Sequence, residues 1–143
     1  MVYRPIFCRR DVAVQRLYCC IINYCIKSKV MKYKLTLEEL APLLPTPEGK
    51  HFTIGMAHGT MSVELYKPDR IDPQTPHNQD ELYIILRGSG TFFVNGERLP
   101  FKTHDVLFVP AQVEHRFENF TDDFMTWVIF YGDHVVSDLS EHV

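Results

Sequence analysis

From residue 52 to residue 131 the chain is a succession of short apolar runs parted by turn residues, with no helical pattern between them. The firmest point is Asn95-Gly96, set between Gly90-Thr91-Phe92-Phe93-Val94 and Glu97-Arg98-Leu99-Pro100-Phe101. A type I′ turn needs positive φ at both central positions, which Asn and Gly tolerate best, so the dipeptide predicts a hairpin. The other runs cover 52–56, 60–66, 81–86, 105–110, 114–120 and 125–131. In the second of these, Met61, Val63 and Leu65 alternate with polar residues, as in a strand with two unlike faces. After Glu81 the run to Leu86 is continuously apolar, as for a strand buried on both sides. Short strands at this spacing predict an all-β sandwich or barrel.

One short helix precedes the strands. Thr36-Leu37-Glu38-Glu39 fits a capping box, and Leu37, Leu40 and Leu43 would form its apolar stripe until Pro42 and Pro45 end it. Residues 1–30 read differently from the rest. The chain carries 15 Lys/Arg and 18 Asp/Glu; residues 1–30 hold six of the former and one of the latter, leaving 31–143 with a balance of −8. All four cysteines (Cys8, Cys19, Cys20, Cys25) also lie before Met31, with no C-x-x-C pair among them. We expect residues 1–30 to be a leader outside the fold, or a misassigned start, and 31–143 to be one domain with its core over 52–131. That domain is about the usual domain size and, lacking cysteine, needs no oxidising compartment, which points to the cytoplasm. Its acidity argues against nucleic acid as a partner. No run approaches the roughly 20 apolar residues of a membrane-spanning helix, so no membrane partner is expected.

The residues that carry chemistry sit beside the strands. If 77–85 is extended, His77, Gln79, Glu81, Tyr83 and Ile85 share one face, the first three polar and the last two not. His115, Phe117 and Asn119 share a face in the same way. Taken singly, His77 and Glu81 read sooner as solvated residues ahead of a strand than as half of a metal site. His51, His58, His134 and His142 fall in no such pattern.

Two spacings decide between these readings. One is Asp69-x5-Thr75-x-His77-x3-Glu81-x6-Gly88, the other His104-x5-Pro110-x-Gln112-x2-His115-x3-Asn119. Together they resemble the two motifs of the cupin family, a small single-domain member of it. The resemblance implies a double-stranded β-helix, or jelly-roll barrel, with His77, Glu81 and His115 as ligands of a divalent metal. Thr75 stands where the family has a further histidine. Asp69, His104 and Gln112 stand where it has glycines, so these turns are expected to differ slightly rather than hold left-handed residues at about 1 kcal/mol each.

Two imidazoles and a carboxylate suit non-haem iron with open positions, or catalytic zinc; manganese and nickel are compatible as well. Gln74 or Gln79 would be a weak additional oxygen ligand. On this reading Gln79, Tyr83, Ile85 and Phe117 line a pocket for a small-molecule substrate, worked on by a metal-dependent enzyme of dioxygenase or isomerase type. The alternatives are a non-catalytic small-molecule-binding barrel and a structural barrel with a reduced site. Asp80 alternates away from Glu81 and is a poor general base. The aromatic run 125–131 would serve as an exposed edge or interface strand, and a homodimer is expected.

Overall fold

The computed structural model describes residues 32–135. The leader reading of 1–30, its cysteines and His142 lie outside the described residues.

Helix α1 (Leu37–Leu40) begins where Thr36 leaves the helical conformation and its hydroxyl accepts the Glu39 amide at 3.3 Å. The chain then tightens into a 3₁₀ turn, Ala41–Leu43, with Pro42 near its start. That change of pitch corrects the expected stripe. Leu40 is buried and Leu44 packs with it, while Leu43 is left 51% exposed. The helix lies over Gly55 of the first strand, where an added Cβ would stand 2.6 Å from a Leu40 methyl group.

Eight antiparallel strands follow: β1 (Phe52–His58), β2 (Met61–Tyr66), β3 (Asp80–Arg87), β4 (Ser89–Val94), β5 (Glu97–Lys102), β6 (Val106–Val109), β7 (His115–Glu118) and β8 (Met125–Tyr131). They form a five-stranded sheet in the order β1-β2-β8-β3-β6 and a three-stranded sheet in the order β5-β4-β7. This is the all-β jelly roll with one short helix. Asn95 and Gly96 turn between β4 and β5 with φ of 48° and 84°, as a type I′ turn requires. No helix among the described residues is long and apolar enough to cross a membrane.

The core between the sheets is aromatic: Tyr83, Phe92, Phe101, Phe117 and Phe124 pack with Ile85, Val109 and Val128. Rings such as Phe117 and Phe124, 4.6 Å apart between centroids, meet tilted rather than stacked flat. A second cluster on the outer side of the large sheet joins Leu65, Met125 and Trp127 to α1. In β3, Glu81, Tyr83 and Ile85 are fully buried toward the barrel, and Leu86 on the other side packs with the helix cluster.

Two expectations change. The 125–131 run is no edge: β8 is hydrogen-bonded to β2 on one side and β3 on the other. Its alternation serves a central strand equally well, with Val128 in the barrel core and Trp127 against the helix cluster. The glycine-less turns are not redrawn either. His104 and Gln112 keep left-handed backbones at φ 77° and 66°, whereas beside Asp69 it is Arg70 that takes φ 49°.

Candidate metal centre

The site is assembled from three pieces of chain. Glu81 is the second residue of β3, held on both sides by pairing to Phe130 of β8 and Val109 of β6. His115 opens β7 in the other sheet, opposite Val94. His77 lies in the loop before β3, outside any strand.

That loop is fastened at several points. The Gln112 amide donates to the His77 carbonyl at 2.6 Å, and the Ala111 amide to the Asp80 carboxylate at 2.9 Å. Gln79 donates its side-chain amide to the carbonyls of Thr60 and Gly132, both at 2.9 Å. The left-handed Gln112 therefore lies in the turn that ties one histidine loop to the other. Asp80 holds a backbone amide rather than facing the site.

His77, Glu81 and His115 converge, with one potential ligand atom of each within 4.8 Å of the others. Glu81 Oε2 lies 3.1 Å from His115 Nε2 and 3.6 Å from His77 Nε2. Donors bonded to one ion at about 2.1 Å stand about 3.0–3.4 Å apart at octahedral or tetrahedral angles; the 3.1 Å pair lies in that range and the 3.6 Å pair just beyond it.

The hydrogen-bond inventory points the same way. His115 Nδ1 lies 2.8 Å from the Val113 carbonyl. A carbonyl only accepts, so Nδ1 carries the proton, and in the neutral ring Nε2 presents a bare lone pair to Glu81. Tying the second ring nitrogen to a carbonyl is the usual way a ligating histidine is oriented. Both Glu81 oxygens and the Nε2 atoms of His77 and His115 are buried without a hydrogen-bond partner among the described residues. Four buried polar atoms without partners, with at least one from each of the three residues grouped together, are unfavourable unless a cation joins them.

The titratable groups respond to burial. Burial pushes the His77 imidazole below its ordinary pKa against the opposing pull of Glu81. Burial also lowers His115, but the Glu81 carboxylate and the Val113 carbonyl outweigh it and the net direction is upward. Burial keeps the Tyr83 and Tyr66 hydroxyls protonated, the first further raised by Glu81 and the second by Asp72, so both act as donors.

Tyr83, Ile85 and Phe117 lie in the core beneath the site, at most 2% exposed. Space opens instead on the other side of Glu81. A cavity of about 380 Å³ lies against Phe52, Glu64, Tyr66, His77, Glu81 and Phe130. A second, of about 440 Å³, shares Glu64, His77 and Phe130 with it and reaches Ser62, Gln79 and His134. Thr75 lines the first cavity.

Sequence reasoning passed over Glu64 and Asp72. Asp72, 7% exposed, accepts from Tyr66 Oη (2.6 Å), the Gln74 amide (3.2 Å) and side chain (2.8 Å), and the Phe117 amide (2.7 Å). Tyr83 Oη completes the chain by donating to Gln74 Oε1 at 2.7 Å. This network clamps the 72–74 segment across both sheets beside the cavity. Its only trace in the sequence is an Asp two residues before a Gln, a pattern too common to single out. Glu64 was readable only as the polar side of β2. Met61, Val63 and Leu65 mark the apolar side, but that side faces outward, Leu65 against the helix cluster.

Comparison with known proteins agrees with this architecture. The family profile described as a cupin domain matches residues 62–131. The uncharacterized protein SCO3923 of Streptomyces coelicolor is 38% identical over 72 residues, spanning 49% of this chain and 69% of that one. The HTH-type transcriptional activator RhaS of Mannheimia succiniciproducens is 33% identical over 71 residues, 50% of this chain; the chain spans only 26% of that protein. Among solved structures, the Schizosaccharomyces pombe Cnp3 cupin domain superposes with a TM-score of 0.52 at 15% identity, over 57% of this chain and 64% of that one. A cupin-2 domain protein of Shewanella frigidimarina gives 0.51 at 14% identity, over 66% and 91%. With the fold, the matched family profile and a relative covered over more than two thirds of its length in agreement, this chain belongs to the cupin family.

Proposed function

We propose that the protein binds a divalent metal ion through His77, Glu81 and His115 and uses it on a small organic molecule held in the adjoining cavity, as an enzyme of isomerase or oxygenase type. The observation that carries this reading is the convergence of three buried, unpaired donor atoms, one each from His77, Glu81 and His115. When bound, an iron, zinc, manganese or nickel ion supplies Lewis acidity or an oxygen-activating centre. The chain's own residues do the rest. Val113 holds the His115 ring with Nε2 toward Glu81. The β3 ladder holds Glu81 in place. Phe130 and Val128 line the cavity next to the ligands and limit water there. Asp72 and Tyr83 fix the Gln74 side chain at the cavity wall.

Thr75, standing where a fourth donor would, favours a second reading: a binding protein in which a three-donor ion anchors its ligand without turnover. The absence of cysteine from 31–143 supports a cytoplasmic setting. We also propose a homodimer.

Elemental analysis of the purified full chain beside His115→Ala and Glu81→Gln tests the metal assignment. The expected result is close to one ion per chain, lost to below a tenth in both variants. Wild type as empty as the variants after reloading with Fe²⁺, Zn²⁺, Mn²⁺ and Ni²⁺ would sink it.

A further inference from the structure

Glu64, on β2, is part of the wall that the two cavities share. It stands on the same side of the strand as Ser62 and Tyr66, and lines both spaces together with His77 and Phe130. Among the described residues its side chain receives a single long hydrogen bond, from Ser62 Oγ at 3.5 Å. It takes part in no ion pair there. No Lys or Arg lines either cavity. Lys50 is exposed and lies over the Phe52 ring, 5.6 Å from its centroid, without being part of the wall.

A half-buried carboxylate facing an apolar space has acceptor capacity for several donors, and among the described residues Ser62 Oγ alone supplies one, at 3.5 Å. The apolar part of the first cavity's wall is Phe52, Pro73, Val128 and Phe130, surfaces for a flat or branched apolar body, with Gln74 and Thr75 as its neutral polar part. An ion on Glu81 and two neutral imidazoles would carry one net positive charge, to which a Glu64 carboxylate is complementary. An anionic ligand would enter a chamber whose described lining holds no Lys or Arg and would face Glu64 directly.

We propose that Glu64 is the specificity-determining residue of the chamber, accepting a hydrogen bond from a hydroxyl or amino group of the ligand, and that the ligand is therefore a neutral or singly cationic apolar molecule rather than a carboxylate or phosphate ester. This rests on the reading of the cavity as the ligand chamber beside the metal. It does not require the metal itself.

Benzylamine, benzyl alcohol and benzoate share one ring and differ in the group offered to Glu64. Their affinities are measured by ligand-observed NMR titration at pH 8 on the full chain, stripped with EDTA and again after zinc loading. In the stripped protein benzylamine is expected to bind at least tenfold tighter than benzoate, with benzyl alcohol also ahead of benzoate. Glu64→Gln, nearly isosteric, should shrink the benzylamine-to-benzoate ratio fivefold or more in both forms, and Glu64→Asp should preserve most of it. A smaller change in Glu64→Gln overturns the proposal. So does a preference for benzoate in the stripped wild type, or no benzylamine binding up to 20 mM. If zinc is not retained, the metal assignment fails separately, and the comparison in stripped protein still decides the role of Glu64.

Discussion

His104 and Gln112 hold φ of 77° and 66° without being glycine, and each position carries the strain of a Cβ in the left-handed region. His104→Gly and Gln112→Gly should therefore each stabilise the protein by about 1 kcal/mol, less the added freedom of the unfolded glycine. Urea unfolding of the two variants measures this, and a loss of stability in both would mean that the side chains make compensating contacts. The same scale contains the site. His77, Glu81 and His115 were legible only jointly, through the resemblance of the two spaced patterns to the cupin motifs, since each alone reads as an ordinary polar residue. Glu64 was not, because strict alternation in β2 says that two faces differ and not which one the barrel encloses. Asp72 was not, because its four donors come from residues as far apart in sequence as Tyr66 and Phe117. Thr75 was read from its place in the motif, and it lines the cavity.

Among the elements, the β3–β4 connection is the tightest. Gly88 has φ of 83°, and an added Cβ would stand 2.7 Å from the Phe124 Cα and 2.6 Å from Thr121 Oγ1. Backbone cannot retreat as a flexible side chain can, so Gly88→Ala combines left-handed strain with a clash and should destabilise by about 2–5 kcal/mol. Gly96 has the same backbone hand at 84° with nothing within 4 Å, and Gly96→Ala should lose only about 1 kcal/mol. The two variants compared by chemical denaturation separate strain from clash; equal losses would refute the account. Element boundaries followed the sequence closely wherever turn chemistry marked them, as at Asn95-Gly96 and at the Thr36 cap. The stripe of α1 did not, because a 3₁₀ turn after Leu40 replaced Leu43 by Leu44 as the packing residue.

At the scale of the molecule, the large sheet ends in β1 and β6, which among the described residues pair with no further strand. Phe52 and Ile54 on the first, and Val106 and Phe108 on the second, are 38–59% exposed. Apolar open edges are normally covered, which supports the proposed homodimer. Light scattering should give twice the chain's 16.7 kDa. Ile54→Lys or Phe108→Lys, whichever edge pairs, should return the single-chain mass, and a single-chain mass for the wild type would exclude the dimer. The amino-acid sequence by itself determined the strand periods, the hairpin and the capped helix, since these depend on neighbours a few residues apart, and it marked His77, Glu81 and His115 through two motif-like patterns. Strand order, the inward face of β2, the central place of β8 and the Asp72 clamp were decided only in the folded barrel. Each depends on contacts between residues far apart in the chain, where local pattern is silent and the packing of both sheets around one core selects the answer.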